Sequence, residues 1–326
     1  MKKKPTLVLY HPLMAVEGYP VLAGRVQPAL DYLRDSGTLE TTQVILEEAP
    51  RVGEDLLLQV HTPDHIQHVR RSGYDSASLV SGGSAVRAGE AVWIGEAANA
   101  FAFTGCAGHH ASRGSSWGFC YYNNSALLVR NLQHMHGVNR FFIVDTDPHP
   151  GDGTRDVLGD DEGVYHLNFE ASFRESLDTV THRHVDVPFP SSSSDDSFVE
   201  AVRRLALPWA RRIRPEMILW NMGHDAHALD YGGFNLSLRA FPAMTDILMQ
   251  AAEEVCEGRL VVLLSGGSEV SVAKHAISGI VRKLAGLPQL SEDVQDEPTT
   301  ESAETKRMGE DVIEKIRSKM GLDDPI

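Results

Sequence analysis

Phe141-Phe142-Ile143-Val144-Asp145-Thr146-Asp147-Pro148-His149-Pro150-Gly151-Asp152 is the stretch on which the reading of this chain turns. Four consecutive apolar residues suit a strand buried on both faces, as in a parallel sheet covered by helices. Directly behind them stand Asp145, Asp147, His149 and Asp152, more charge in one place than packing can use, so a metal ion or a proton must share it. In extended backbone, residues two apart project to the same side. Asp147 and His149 can therefore converge on one ion, with Asp145 on the same face one step behind. Taken in isolation, the run also suits a charged loop that caps the next helix through Asp152.

Working outward, comparable β-rich apolar runs lie at 6–9, 44–46, 100–103, 164–167, 184–187, 217–220 and 260–264. Helical patterns lie between them at 26–34, 63–71, 124–136, 197–213, 239–257 and 270–284. Most are long enough for crossovers, which predicts one doubly wound α/β domain, helices covering a central parallel sheet of about eight strands. Four loops follow four of these strands: 104–110, which ends Gly108-His109-His110; 145–154; 222–227, which holds Gly223-His224-Asp225-Ala226-His227; and Ser265-Gly266-Gly267-Ser268. Ligands of open α/β sheets bind beyond the carboxyl ends of strands, so the four loops are expected to meet at one site.

Lys and Arg number 30 against 45 Asp and Glu, a formal net charge of −15 that argues against nucleic acid and favours cationic substrates. Three cysteines at unrelated spacings, Cys106, Cys120 and Cys256, indicate neither a disulfide framework nor a Cys-rich zinc site. The apolar run after the basic start is too short for a secretion signal, and no run reaches membrane-spanning length, so a cytoplasmic protein without a membrane partner is expected. The catalytic domain is expected to occupy 1–290, followed by an acidic linker over 291–306. A C-terminal amphipathic helix over 307–326 carries Met308, Val312, Ile313, Ile316 and Met320 on one stripe. That stripe can dock on the body or pair with a second subunit in a homo-oligomer.

Asp147, His149 and Asp225 make three protein ligands with a position left open, the arrangement of a catalytic rather than a structural zinc. The set is oxygen-rich, so iron, cobalt and manganese stay open on ligand chemistry alone. Proton transfer to a leaving amine needs a base nearby, and His109-His110 is the natural candidate, with Asp145 and Asp152 available to orient the two rings.

The Gly-His-His turn, the run Gly118-Phe119-Cys120-Tyr121-Tyr122-Asn123-Asn124, the Asp-x-Asp-x-His run and Gly-x-Asp-Ala-His together resemble the zinc-dependent histone deacetylase family. That superfamily also contains the acetylpolyamine amidohydrolases and acetoin-utilisation proteins. The resemblance covers most of residues 5–290 and implies an arginase-like α/β/α fold. It further implies Zn2+ on Asp147, His149 and Asp225, with His110 as the main proton-transfer residue, His109 as its partner, and the pairs His109–Asp145 and His110–Asp152. It implies a K+ ion on oxygens of Asp145 and Asp147. Phe119, with Gly118 beside it, would form one wall of a narrow tunnel for an acylated amine or acyl-lysine-like substrate. Glu17 and Arg25 match the family's N-terminal loop loosely, and an exposed salt-bridge role fits them equally.

Three departures stand out. The family's last motif ends Gly-Gly-Tyr, and that tyrosine donates a hydrogen bond to the carbonyl oxygen; here Ser268 occupies the position at the substrate. One such donor is worth roughly 100- to 1,000-fold in rate, and His224, Tyr231, Tyr121 and Tyr122 are all candidates to replace it. Pro150 stands where the family carries another histidine, and 171–180 lacks a Pro-Gly-Thr-Gly entrance loop. Two functions follow as expectations: a metal-dependent hydrolase of acylated amines, or of related esters and thioesters, and alternatively a catalytically weakened zinc-containing protein that binds acyl-amines. The Ser-Gly-Gly-Ser runs at Ser84 and Ser268 lack the Gly-x-Ser-x-Gly pattern of a serine hydrolase, and an arginase-like pair of metals would need further ligands.

Overall fold

All eight apolar runs are strands in a computed structural model, which describes residues 4–171 and 180–322. They are β1 (Thr6–Tyr10), β2 (Val44–Glu48), β3 (Asn99–Ala102), β4 (Phe141–Asp145), β5 (Val164–Ala171), β6 (His184–Phe189), β7 (Met217–Met222) and β8 (Leu260–Leu264). Every pairing is parallel and the order across the sheet is β2-β1-β3-β8-β7-β4-β5-β6. The four strands whose loops were expected to converge, β3, β8, β7 and β4, are therefore adjacent at the centre. All of their residues are buried, which is why they read as unbroken apolar runs.

The six expected helices form at Pro20–Asp35, Pro63–Ser72, Asn124–His136, Asp195–Ile213, Ala240–Cys256 and Val270–Ala285. The third shows how local chemistry sets a boundary: the Asn123 side chain accepts the Ala126 N–H at its start, and Gly137 at φ 67° closes its end. Helix Asp75–Trp93 is not among the clearest helical patterns of the sequence, and its Gly82, Gly83 and Gly89 weaken helix propensity. Packing supplies the reason for them. A Cβ on Gly82 would lie 2.7 Å from Leu127 and one on Gly89 2.7 Å from Leu128, so these glycines let the helix press against Asn124–His136.

The acidic segment after the last core helix lies along the body. Buried Asp293 accepts the Ser278 hydroxyl at 2.6 Å, Asp296 pairs with His227 at 2.8 Å, and Glu301 accepts from the Ser194 amide and the Ser197 hydroxyl. Helix Ala303–Met320 then packs on Asp195–Ile213 and β6 with Ile313 and Ile316 buried. Ile313 and Ile316 of its stripe are thus covered in cis, while Met308 stays exposed. The stretch 171–180, whose missing motif pointed to a reshaped entrance, falls almost wholly outside the described residues.

One buried histidine makes the fold acid-sensitive. His61 Nε2 accepts the Asn123 N–H at 3.0 Å and Nδ1 faces the Ser112 carbonyl at 2.9 Å, which fixes a neutral tautomer. Burial, then nearby His65, pushes its pKa down to about 3. A histidine depressed on folding contributes stability that is complete above the unfolded value of about 6.5 and is lost as pH falls below it. The urea midpoint is therefore expected to drop between pH 7.5 and pH 5, and to drop less in His61→Gln. Equal drops in the two proteins would remove His61 from the account.

Candidate active site

Asp147 and His149 sit in the loop after β4, and Asp225 sits in the short 3-10 turn His224–Ala226 after β7. The register Asp145↔Asn221 sets the two strand ends level, so the loops face each other. His149 Nδ1 lies 2.9 Å from Asp147 Oδ1 and 3.3 Å from Asp225 Oδ2, and one ligand atom from each of the three residues lies within 4.8 Å of the others. Gly266, at the end of β8, shapes the cradle. Its N–H donates to Asp147 Oδ2 at 2.7 Å, and a Cβ there would fall 2.3 Å from Asp225 Oδ2 and 2.5 Å from Asp147 Oδ2.

Both carboxylates are fully buried, and the two oxygens of Asp225 have no hydrogen-bond partner. Burial, then the charge of Asp147, pushes the Asp225 carboxyl up to about 7. Burial would raise Asp147 too, but His109 and His149 hold it well below the usual carboxylate range. Burial lowers His149 less than the two aspartates raise it, which leaves it at about 11. Two buried carboxylates, one without a hydrogen bond, sharing a single imidazole are the environment a divalent cation satisfies, so the residues present fit a metal.

His109 and His110 lie in the loop after β3. That loop is tied down by the sequence that follows it. Asn124 Nδ2 donates to the Cys106 and Ala107 carbonyls, both at 3.1 Å, while Cys120 Sγ accepts the Gly108 and His110 amides at 2.9 and 3.4 Å. His109 Nδ1 donates to Asp145 Oδ2 at 3.1 Å, and its Nε2 is 3.6 Å from Asp147 Oδ2. Burial works against its charge, but Asp147 and Asp145 outweigh it and raise the ring to about 9. His110 Nδ1 donates to Asp152 Oδ1 at 3.0 Å, and burial together with the His109 charge lowers it to about 4. The structure thus brings together all seven residues expected to carry the chemistry.

Asp145 is occupied by N–H donors: Asn221 Nδ2 at 2.9 Å and His109 on Oδ2, and the Asp147 amide at 3.1 Å on Oδ1. Nothing in this arrangement supports the K+ ion that the resemblance implied.

Gly118 and Phe119 lie where a tunnel wall was expected. Gly118, at φ 58°, passes so close to His110 that a Cβ would sit 2.3 Å from its ring, and Phe119 follows at φ 64°. Phe119 stacks on Tyr19 at 4.2 Å, which continues to Tyr74 at 5.3 Å. Gly118 and Phe119, together with Leu22, Trp117, His149 and Tyr231, line a pocket of about 200 Å³ above the carboxylates.

Sequence reasoning passed over Trp117. It stacks on His110 at 3.7 Å and its Nε1 donates to Asp152 Oδ2 at 2.8 Å, so one side chain covers the base and steadies the base's carboxylate. An aromatic residue among loop serines and glycines was the available signal. Asp230 was also missed: it accepts the Ser268 and Glu269 amides at 2.8 and 2.9 Å and the Ser268 hydroxyl at 3.0 Å. Burial would raise Asp230, but His224 and those amides hold it below its ordinary range.

Two expectations change. Ser268 does not line the pocket, because its hydroxyl is taken by Asp230 on the far side of the turn. Arg25 is not an exposed salt-bridge residue. It is fully buried and donates to the Gly267 carbonyl at 2.6 Å and to the Ser265 carbonyl, with His224 Nε2 at 3.2 Å, bracing the turn from below. Glu17 stays exposed.

The sequence profile of the histone deacetylase domain matches residues 71–284. A probable deacetylase of Archaeoglobus fulgidus is 29% identical over 296 residues, covering 82% of each chain. A histone deacetylase-like amidohydrolase of Pseudomonas aeruginosa is 28% identical over 275 residues, covering 76% of this chain and 72% of its own. A crystal structure of the HDA15 HD domain superposes with a TM-score of 0.85 over 98% of both chains at 20% identity, a likeness of fold.

Proposed function

Because the chain belongs to the histone deacetylase domain family, we propose that it is a zinc-dependent hydrolase that removes an acyl group from an amine, or from a related ester or thioester. The observation that carries this reading is the placement of Asp147, His149 and Asp225 beside a neutral His110 that Asp152 orients.

Held by those three ligands, zinc supplies a Lewis acid for the acyl carbonyl and makes a water more acidic. The chain's own groups do the rest. His110, with Nδ1–H given to Asp152, has Nε2 as its free basic nitrogen, suited to take a proton from the attacking water and return it to the leaving amine. Asp152 sets the tautomer, and Trp117 covers one face of the ring and keeps water from it. His109, held through Nδ1 on Asp145, sets its Nε2 3.6 Å from Asp147.

The substrate class is a small acylated amine or an acyl-lysine-like group. A pocket of about 200 Å³ suits a short acyl group and a few methylenes, and a net charge of −15 favours a cationic amine over nucleic acid. We place the protein in the cytosol, a setting supported by three buried free thiols, Cys106, Cys120 and Cys256. Among the described residues no helix is long and apolar enough to cross a membrane.

The test is hydrolysis of acetyl-lysine, trifluoroacetyl-lysine, acetylpolyamines and simple acyl esters by metal-quantified protein. Turnover of at least one is expected, lost with a chelator and restored by zinc. Turnover that survives complete metal removal would refute the proposal.

A further inference from the structure

We propose that Tyr231 donates the hydrogen bond that stabilises the carbonyl oxygen as it becomes negative, the part that Ser268 cannot play. The inference rests on the hydrolase reading above. Acyl transfer builds an anion on that oxygen, and a preorganised donor aimed at it is usually a large part of the rate.

The donors around the pocket can be taken in turn. The Gly266 N–H is given to Asp147 at 2.7 Å, the Trp117 N–H to Asp152 at 2.8 Å and the Ser268 hydroxyl to Asp230 at 3.0 Å. Tyr122 donates to Asp75 at 2.8 Å, and Tyr121 stacks on Tyr74 at 5.0 Å outside the pocket lining. His224 is fully buried behind Gly267, whose Cβ would strike its ring at 2.3 Å. Tyr231 carries the only hydroxyl among the described residues that line the pocket.

Its surroundings leave its proton free. The Gly267 N–H donates to Tyr231 Oη at 3.3 Å, which uses a lone pair of the phenol, and among the described residues no acceptor takes the O–H. The ring lies 5.6 Å from that of His149, so the hydroxyl stands beside the metal ligands. The backbone around it is held on both sides. Asp230 stitches the preceding residue to the Gly-Gly-Ser turn, and the Gly232 N–H donates to the Asp225 carbonyl at 3.0 Å. Gly232 has no room for a side chain, since a Cβ would lie 2.4 Å from Pro148. The phenol therefore approaches from the loop after β7, whereas the turn after β8 supplies only the N–H that orients it.

The experiment compares wild type and Tyr231→Phe, each loaded with zinc, on the best substrate found. We expect kcat to fall roughly 100- to 1,000-fold with KM, zinc stoichiometry and unfolding temperature little changed. A second measurement does not need turnover: affinity for a trifluoromethyl ketone analogue, whose hydrate mimics the tetrahedral state, is expected to weaken about 10- to 100-fold, as loss of one charge-assisted hydrogen bond does. Unchanged kcat with unchanged ketone affinity overturns the assignment, and so does loss of zinc from the variant. A wild type that turns over nothing would fail the hydrolase reading instead. The ketone arm would then decide the donor by itself, equal affinity refuting it and weaker affinity of Tyr231→Phe supporting it.

Discussion

Asp225→Asn is expected to abolish turnover and to weaken zinc binding by more than the roughly 10- to 100-fold that loss of an outer partner costs, while making the metal-free protein no less stable. The two effects have one cause. Asp225 is fully buried, faces Asp147 and shares with it the one imidazole of His149, 3.3 Å away, so without a metal ion its charge is a liability to the fold. The sign follows from its raised pKa. A carboxyl at about 7 in the folded chain and near 3.8 when unfolded costs the metal-free fold stability as pH rises through that interval. At pH 8 the full penalty is present in wild type and absent from the amide variant. Thermal unfolding with and without zinc measures both halves. Wild type should gain a large zinc-dependent rise in midpoint and Asp225→Asn little. A variant that keeps wild-type zinc affinity, or that is clearly less stable when metal-free at pH 8, would show that Asp225 has a structural role and is not a ligand.

His110→Ala is expected to reduce kcat by about 100- to 10,000-fold, the usual worth of a positioned acid-base group. Zinc should be retained, because His110 offers no atom to the ligand cluster. Its neighbours identify it as the base. His109 gives its Nδ1–H to Asp145 and turns Nε2 toward the metal ligand Asp147 at 3.6 Å, whereas His110 gives its Nδ1–H to Asp152 and keeps Nε2 free to accept. Asp152→Asn should cost less than His110→Ala, since it disturbs only the tautomer and orientation of the ring. Steady-state kinetics on the best substrate, with zinc quantified in each protein, decides the matter. Near-normal kcat in His110→Ala would transfer the proton to another group.

Much of the site was legible because its chemistry is dense and local. Asp147 and His149 are two apart at the end of an apolar strand, and the pattern alone put them on one ion. His109-His110 and Asp225 stand at the ends of other strands, where an open parallel sheet binds its ligands. Trp117 and Asp230 were not legible, since their roles depend on partners 35 and 38 positions away in sequence, Asp152 and Ser268. The two roles left open for Arg25 could not be separated for the same reason: an arginine near the start of the chain suits a surface as well as a buried place until the fold carries it 242 positions to the Gly267 carbonyl.

By itself, the sequence determined eight strands, six covering helices, a parallel sheet and the residues able to hold a metal. Each of these follows from periodicity or from charge at strand ends, and both act over a few residues. Only the tertiary structure decided what depends on distant surfaces meeting. It showed that the glycines of Asp75–Trp93 serve close helix packing and not a break, and that Ile313 and Ile316 of the C-terminal stripe are buried by their own chain. It turned the Ser268 hydroxyl away to Asp230 and set the Tyr231 hydroxyl beside His149. Spacing could not rank the candidate donors, because a hydrogen-bond donor is defined by where its proton points, and that direction is set only when the loops after β7 and β8 close on each other.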